Sequence, residues 1–270
     1  MRPQPQRGQW ELEEKEVIMS DYNTNPARRF GTPAARAGAA VDQGLRAYML
    51  RVYNYMALGL AITGAAALGT FVMAVDRSGG AAHLTAFGQL IYASPLKWVV
   101  IFAPLALVFL LSFRIDRMSV AAAQATFWIY AALVGLSLSV IFLVFTGQSI
   151  TQVFFITAAS FGALSLYGYT TQRDLSAFGA FLMMGLFGVI IASLVNLFLQ
   201  SSGLQFVVSV VGVLVFAGLT AWDTQRIKEM YFEADDEVVA GRKAVMGALA
   251  LYLDFINLFM MLLQLFGRRD

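Results

Sequence analysis

The strongest constraint on this chain is the length over which it carries no charge. Met118 to Gln172 is a run of 55 residues without Asp, Glu, Lys or Arg, and Leu175 to Trp222 is a run of 48. Val52–Val75 is charge-free for 24 residues, Trp98–Phe113 for 16, and Ala244–Gly267 for 24 apart from Asp254. A helix crosses the hydrocarbon of a bilayer in about 20 residues. The 24-residue runs therefore hold one helix each, and the 16-residue run spans with its flanks or by tilting. The two longest runs must fold back, and polar turn residues mark where: Thr146-Gly147-Gln148-Ser149 and Gln200-Ser201-Ser202-Gly203. Seven helices are predicted, at 52–75, 97–114, 121–145, 150–171, 178–199, 204–226 and 244–266. In lipid each backbone group must bond within its own segment, which selects helices. The runs are continuously apolar and do not alternate, which excludes a barrel. The expected fold class is an all-α polytopic membrane protein.

Composition closes off the other classes. The chain is 59% hydrophobic and 13% charged, with a mean hydropathy of +0.67; an ordinary soluble domain is about 25% charged. A net charge of +2 is too small to point to nucleic acid. The absence of cysteine removes disulfides, thiolate metal sites and a thiol nucleophile. His83 is the single histidine and is read as a plain loop residue. Gly-rich phosphate loops of the Walker or dinucleotide type are missing, so no resident cofactor is expected.

Residues 1–45 differ in kind from the rest. They hold Pro3, Pro5, Pro26 and Pro33 and a charged run from Glu11 to Glu16, and read as a disordered tail with a short helix near Trp10–Met19. Met19 offers an alternative start. Residues 46–270 form the membrane domain. With the N-terminus cytoplasmic, 15 of the lysines and arginines fall inside and 4 outside; without the first 35 residues the balance is 10 to 4. The positive-inside rule then predicts N-inside and C-outside.

Two carboxylates lie where chemistry is expensive. Asp254 has nine uncharged residues before it back to Val245 and 13 after it to Gly267; an acid at such depth costs about 2.5–3.5 kcal/mol on insertion scales. It reads either as a proton- or cation-responsive site or as a protonated group joining helices. Asp223, at the inner end of the sixth helix, reads either as a partner in that site or as an interfacial acid paired with Arg226 at i+3. Asn196 and Gln264 are open to a path-lining role or to interhelical bonding. Gly59, Gly64 and Gly69 are expected to allow close helix contact.

The stretches Trp-Asp-Thr-Gln-Arg-Ile (222–227) and Leu-Tyr-Leu-Asp-Phe-Ile-Asn-Leu-Phe (251–259) resemble the two signature segments of the Bax inhibitor-1 family, the transmembrane Bax-inhibitor-motif proteins. The resemblance covers residues 46 to 269 and is closest to the prokaryotic branch. It implies seven helices with the last one central and six wrapped around it. It implies a pH-sensitive calcium leak in which Asp223 and Asp254 form a hydrogen-bonded, proton-sensing pair that also meets calcium transiently. It implies that Arg114, which ends the second helix, latches the pair, although as a residue Arg114 also fits a positive-inside anchor. The glutamate that relatives often carry in the second helix is missing here.

Two carboxylates in contact in a medium of low dielectric share a proton, and its loss leaves like charges that repel and attract cations. Calcium takes six to eight hard oxygens. Thr224, Asn257, backbone carbonyls and water are candidates for the remainder, with Asn196 further along a path. One tension stands against the pair. Asp223 is three residues inside Arg226, about 4.5 Å, whereas Asp254 is 11 residues past Lys243, about 16 Å. They meet only if the seventh helix begins well outside the hydrocarbon or the helices tilt.

The expected function is a calcium-leak or cation pathway in a bacterial-type inner membrane, with lipid, calcium and protons as its partners. A different class is a regulator that restrains a membrane-anchored AAA protease or another membrane protein. An intramembrane aspartyl protease is disfavoured because no glycine motif precedes Asp254, so the chain is not expected to be an enzyme. The oligomeric state is left open, and a monomer suffices.

Overall fold

The computed structural model describes residues 33–77 and 82–269. The expected tail helix near Trp10–Met19, and most of the expected disordered tail, lie outside the described residues. The chain divides into Met1–Arg46 and Ala47–Asp270, and the second unit carries the bundle.

Seven helices are long and apolar enough to cross a membrane. They are α1 (Pro33–Ala74), α2 (Leu96–Arg114), α3 (Val120–Leu138), α4 (Gly147–Thr170), α5 (Ser176–Leu199), α6 (Ser202–Glu229) and α7 (Glu237–Phe266). A short helix, Ile141–Val144, continues α3 beyond a break at Ser139 and Val140. The break is held by polar bonds: Ser139 Oγ donates to the Leu136 carbonyl and accepts from the Tyr92 hydroxyl at 2.8 Å. Both predicted turn segments lie at helix ends. Thr146 caps α4 by accepting from Ser149 N–H, and Ser201 caps α6 by accepting from Leu204 N–H. Gln200 ends α5 in the left-handed region, at φ 50°.

Helix ends run past the predicted apolar limits where polar residues cap them. The largest difference is in α1, which begins at Pro33 rather than at 52, so residues 33–45 of the expected disordered tail are helical; α7 begins at Glu237, capped by Asp236, rather than at 244. One element was not expected. His83 and Leu84 pair antiparallel with Val75 and Asp76, so His83 lies in a two-residue strand rather than a plain loop.

The last helix is the central one. In its apolar window 61% of residues are buried, against 17% in those of α2 and α5. Ala244, Val245, Ala248, Leu249, Leu251, Tyr252, Phe255, Leu258 and Phe259 are buried, while Met246, Ala250, Leu253, Asn257 and Met260 on the remaining face are half-buried. The outer helices turn large apolar residues outward instead, such as Phe102 and Phe109 on α2 and Phe181 and Phe187 on α5. These are the lipid-facing surfaces.

Helix ends fall into two groups. Arg114, Arg173, Arg226 and Lys243 mark the basic end, where α6 passes to α7. At the far end α5 passes to α6, and α7 finishes strapped to the start of α4. There Thr146 N–H donates to the Arg268 carbonyl at 3.0 Å, and Arg268 N–H donates to Ser149 Oγ at 2.9 Å.

Small residues set the closest approaches. A Cβ on Gly168 of α4 would lie 2.1 Å from the Ala221 carbonyl oxygen of α6. A Cβ on Gly59 would lie 2.8 Å from the Phe127 ring, but one on Gly64 or Gly69 would meet nothing within 4 Å. Of the three glycines expected to make close contacts, Gly59 does so, while Gly64 and Gly69 face open space. Gly168→Ala is expected to destabilise the protein by about 1–3 kcal/mol, because backbone must move. Gly64→Ala is expected to leave it unchanged. Thermal melting of the two purified variants checks this, and equal melting temperatures would contradict the packing argument.

Candidate functional site

The two signature segments lie against each other, and nearly every residue in them has an identifiable job. On α6, the Trp222 indole lies flat against Gly179 of α5, where a Cβ would come within 2.2 Å of it. Thr224 is fully buried; its hydroxyl donates to the Thr220 carbonyl at 2.7 Å and lies 2.9 Å from Ser165 Oγ on α4. Ser165 in turn lies 2.7 Å from the Tyr53 hydroxyl of α1, so one hydroxyl chain joins α1, α4 and α6. Gln225 accepts from Leu175 N–H and donates to the Arg173 carbonyl, both at 2.8 Å. It therefore clamps the α4–α5 connection. Lys228 donates to the Tyr169 carbonyl at 2.9 Å.

On α7, Tyr252 is fully buried, with its hydroxyl 2.6 Å from Thr63 Oγ1 and its ring edge-on to Phe127 and Tyr130. Phe255 packs against Phe154 and Phe161 of α4. These contacts fix the rotation of α7, and Asp254 is thereby turned toward α6.

The register follows from one contact. A Cβ on Gly247 of α7 would lie 2.9 Å from Ile227 Cγ2 of α6. Asp223 is one turn before Ile227, about 6 Å, and Asp254 is two turns after Gly247, about 10.5 Å. Helical side chains lean toward their own N-terminus. In antiparallel helices this carries the Asp223 carboxyl away from Ile227 and brings the Asp254 carboxyl back toward Gly247, so both arrive at one level. The two carboxyl groups are close enough to act on each other. The depth tension is resolved because Lys243 is not at the start of its helix. It lies six residues inside α7 and reaches back, with Nζ donating to the Met230 carbonyl at 3.0 Å and to Asp235 Oδ2 at 2.5 Å.

Burial of the pair is unequal. Asp254 is 5% exposed, and its Oδ2 is buried without a hydrogen-bond partner. The Asp223 side chain is 14% exposed and lies 3.8 Å from Arg226 Nη1, whose own side chain is 60% exposed. Arg226 also lies over the Trp222 ring, 5.5 Å from its centroid. The pair therefore communicates with the basic end through Asp223 and Arg226. Toward the far end, Asn257 follows one turn beyond Asp254; its amide donates to the Leu253 carbonyl at 2.8 Å. Beyond that, Met261 lies against Gly212 of α6, where a Cβ would be 2.9 Å from its sulfur. This contact fills the seam between α6 and α7.

The other predicted site residues are not brought to the pair. Arg114 ends α2, is exposed, and makes no ion pair with either aspartate; Arg226 holds that position. Thr224 is consumed in helix-to-helix bonding, because its side chain points to α4 and not to α7. Asn196 lies at the far end, donating to Gln205 Oε1 at 3.0 Å and accepting from Ser201 N–H. Among the described residues no three His, Cys, Asp or Glu side chains come together, so the aspartates alone do not form a metal cage. Gln225, Gly168 and Gly179 also form the site, beyond the residues that the sequence singles out. Gln225 had a signal, since it stands inside the 222–227 segment; the glycines had none, because their partners are distant in sequence.

Comparison with known proteins identifies the family. Residues 45–270 match the family described as Inhibitor of apoptosis-promoting Bax1. An uncharacterised Rickettsia prowazekii protein is 50% identical over 228 residues, covering 84% of this chain and 92% of the relative. The Escherichia coli K12 inner membrane protein YbhL is 45% identical over 229 residues, covering 84% and 93%. An uncharacterised membrane protein of Streptococcus pyogenes is 37% identical over 229 residues, covering 85% and 96%. With seven spanning helices, a buried last helix carrying one signature segment and α6 carrying the other, the chain belongs to the Bax inhibitor-1 family of membrane proteins.

Proposed function

We propose that the protein is a pH-sensitive cation pathway, with calcium the permeating ion, and that Asp223 and Asp254 form its gate. The observation that supports this most is the meeting of two carboxyl groups between α6 and α7, one of them buried with an unpartnered oxygen. A buried polar atom without a partner calls for an explanation, and a proton- or cation-binding role supplies one. With one proton shared, a single hydrogen bond ties α6 to α7. When that proton is lost, two negative charges face each other; at 4 Å and an effective dielectric of 20, two unit charges interact by about 4 kcal/mol. The sign is repulsive, so raising pH opens the seam. Arg226 offsets part of the repulsion from the basic end, and its exposed side chain is free to swing away.

The path follows the α6–α7 seam from Asp223 past Asn257 to the Met261–Gly212 contact. Cation binding along it is weak and transient, with water and backbone carbonyls completing the oxygen shell. The protein performs no bond chemistry and carries no resident cofactor. It resides in a bacterial-type inner membrane with its basic end cytoplasmic. The name of the YbhL relative and the placement of lysine and arginine support this.

Calcium flux into liposomes tests the gate. Flux is expected to rise between pH 6 and 8 in the wild type and to lose that pH dependence in Asp223→Asn and Asp254→Asn. Met261→Ala is expected to raise flux at every pH. No flux above empty liposomes would sink the channel reading and favour a role in restraining a membrane protein. Orientation is tested separately, and the chain's lack of cysteine makes single-cysteine labelling clean. Ser202→Cys is expected to react with an impermeant maleimide in intact cells, and Glu233→Cys only after lysis. The reverse pattern would invert the topology.

A further inference from the structure

The far end of the bundle holds a cleft of about 530 Å³ whose polar groups are arranged to donate. The arrangement starts from a group whose direction is fixed. Ser201 N–H is a backbone donor, and Asn196 Oδ1 accepts from it at 2.9 Å. The Asn196 amide nitrogen must then point away, and it donates to Gln205 Oε1 at 3.0 Å. Gln205 is thereby oriented too, and its Nε2 donates to Gln264 Oε1. That same oxygen accepts from Ser209 Oγ at 2.9 Å. The relay consumes amide oxygens at each step and ends on Gln264 Nε2, which donates to no group among the described residues. Arg269 lines the same cleft, and no carboxylate is among its described lining residues. Among the described residues the site is rich in donors, carries positive charge and holds no acid, which suits an anion.

A second cavity of about 310 Å³ adjoins the first, because Ser193 and Leu197 line both. It runs along the bundle between α5 and the α6–α7 pair. Its walls are apolar, with Val189, Ile190, Leu194 and Phe216 among them, and Asn257 and Met261 at its α7 side. Donor-rich cleft and apolar groove together have the outline of one amphipathic molecule, with its anionic head at the membrane boundary and its hydrocarbon within the membrane.

We propose that this pair of cavities is a binding site for an anionic glycerophospholipid, with the phosphate held by Arg269 and the Gln264 amide and one acyl chain lying in the α5–α6–α7 groove. Arg269 suits a phosphate because guanidinium donors match its oxygens in a bidentate manner. The chain in the groove braces α5 against Met261, on the face of α7 that also carries Asp254. The proposal does not depend on ion flux, since the relay and the groove stand on their own geometry.

The test uses the full-length protein purified in a maltoside detergent. Native mass spectrometry would measure retention of phosphatidylglycerol beside phosphate-free diacylglycerol, with inorganic phosphate as competitor. Phosphatidylglycerol is expected to bind at least about tenfold more tightly than diacylglycerol, a single charged hydrogen bond being enough for that ratio. Arg269→Gln and, independently, Gln264→Met are expected to weaken it by about the same factor. Ser193→Phe, which fills the junction of the two cavities, is expected to abolish it. Circular dichroism and melting confirm that each variant remains folded. Equal retention of the two lipids would overturn the proposal. So would unchanged binding in both Arg269→Gln and Ser193→Phe. Displacement by inorganic phosphate at a comparable concentration would overturn the lipid assignment and leave a free-anion site.

Discussion

The structure depends on an acid buried on the central helix. Asp254 is buried among the neighbours of α7, so its carboxyl does not turn to water, and rotation of the helix is locked by Tyr252 and by Phe255. Asp254 is left with α6 as its direction and Asp223 as its partner. Much of the rest of the bundle keeps α6 where this is achievable. Gly168 lets α4 approach, Gly179 seats Trp222, and Gln225 holds the connection between α4 and α5. These contacts are formed by side chains adjacent in sequence to Asp223 but pointing elsewhere. The 222–227 segment is thus a mount whose residues hold α6 from several sides so that one of them can face α7.

The spans were legible because the bilayer demands about 20 apolar residues, and charge-free runs measure that demand directly. The fold-back points were legible because Thr146 and Ser201 are capping residues, and caps are local. Register was less legible. Reckoning depth from the nearest basic residues treats Arg226 and Lys243 as equivalent boundary marks. They are not, because α7 continues six residues before Lys243, and a lysine side chain reaches several ångströms to a carbonyl on the neighbouring helix. The Ile227–Gly247 contact sets the level of the acids, and nothing local to either residue announces it.

The candidate site divides in the same way. Asp223 and Asp254 were legible because an acid in an apolar run has few ways to exist. Thr224 and Asn196 looked like path-lining groups because their side chains are polar. In a folded bundle a polar side chain bonds first to whatever its helix face presents. Thr224 faces Ser165, and Asn196 faces the loop that begins α6. Arg114 has the sign expected of a partner for the pair, but α2 is a peripheral helix whose end does not approach it. Arg226, three residues from Asp223 on the same helix, meets the carboxyl without tertiary help.

The two ends of α7 are held differently, and this decides which way the helix can respond. At the far end, backbone and hydroxyl bonds strap residue 268 to the start of α4, and Gln264 is bonded into the amide relay. At the basic end the ties are long side chains: Lys243 reaches Asp235 and the Met230 carbonyl, and Arg242 Nε donates to the Met118 carbonyl at 2.7 Å. Long charged side chains near water adapt their geometry at little cost, whereas a backbone bond at the membrane boundary does not. Repulsion at the aspartate level would therefore tilt α7 about its strapped far end and separate the helices most where the charges already face water. Opening from the basic end is the motion that this distribution of ties permits. The Met261–Gly212 contact, nearer the pivot, would be the last part of the seam to part.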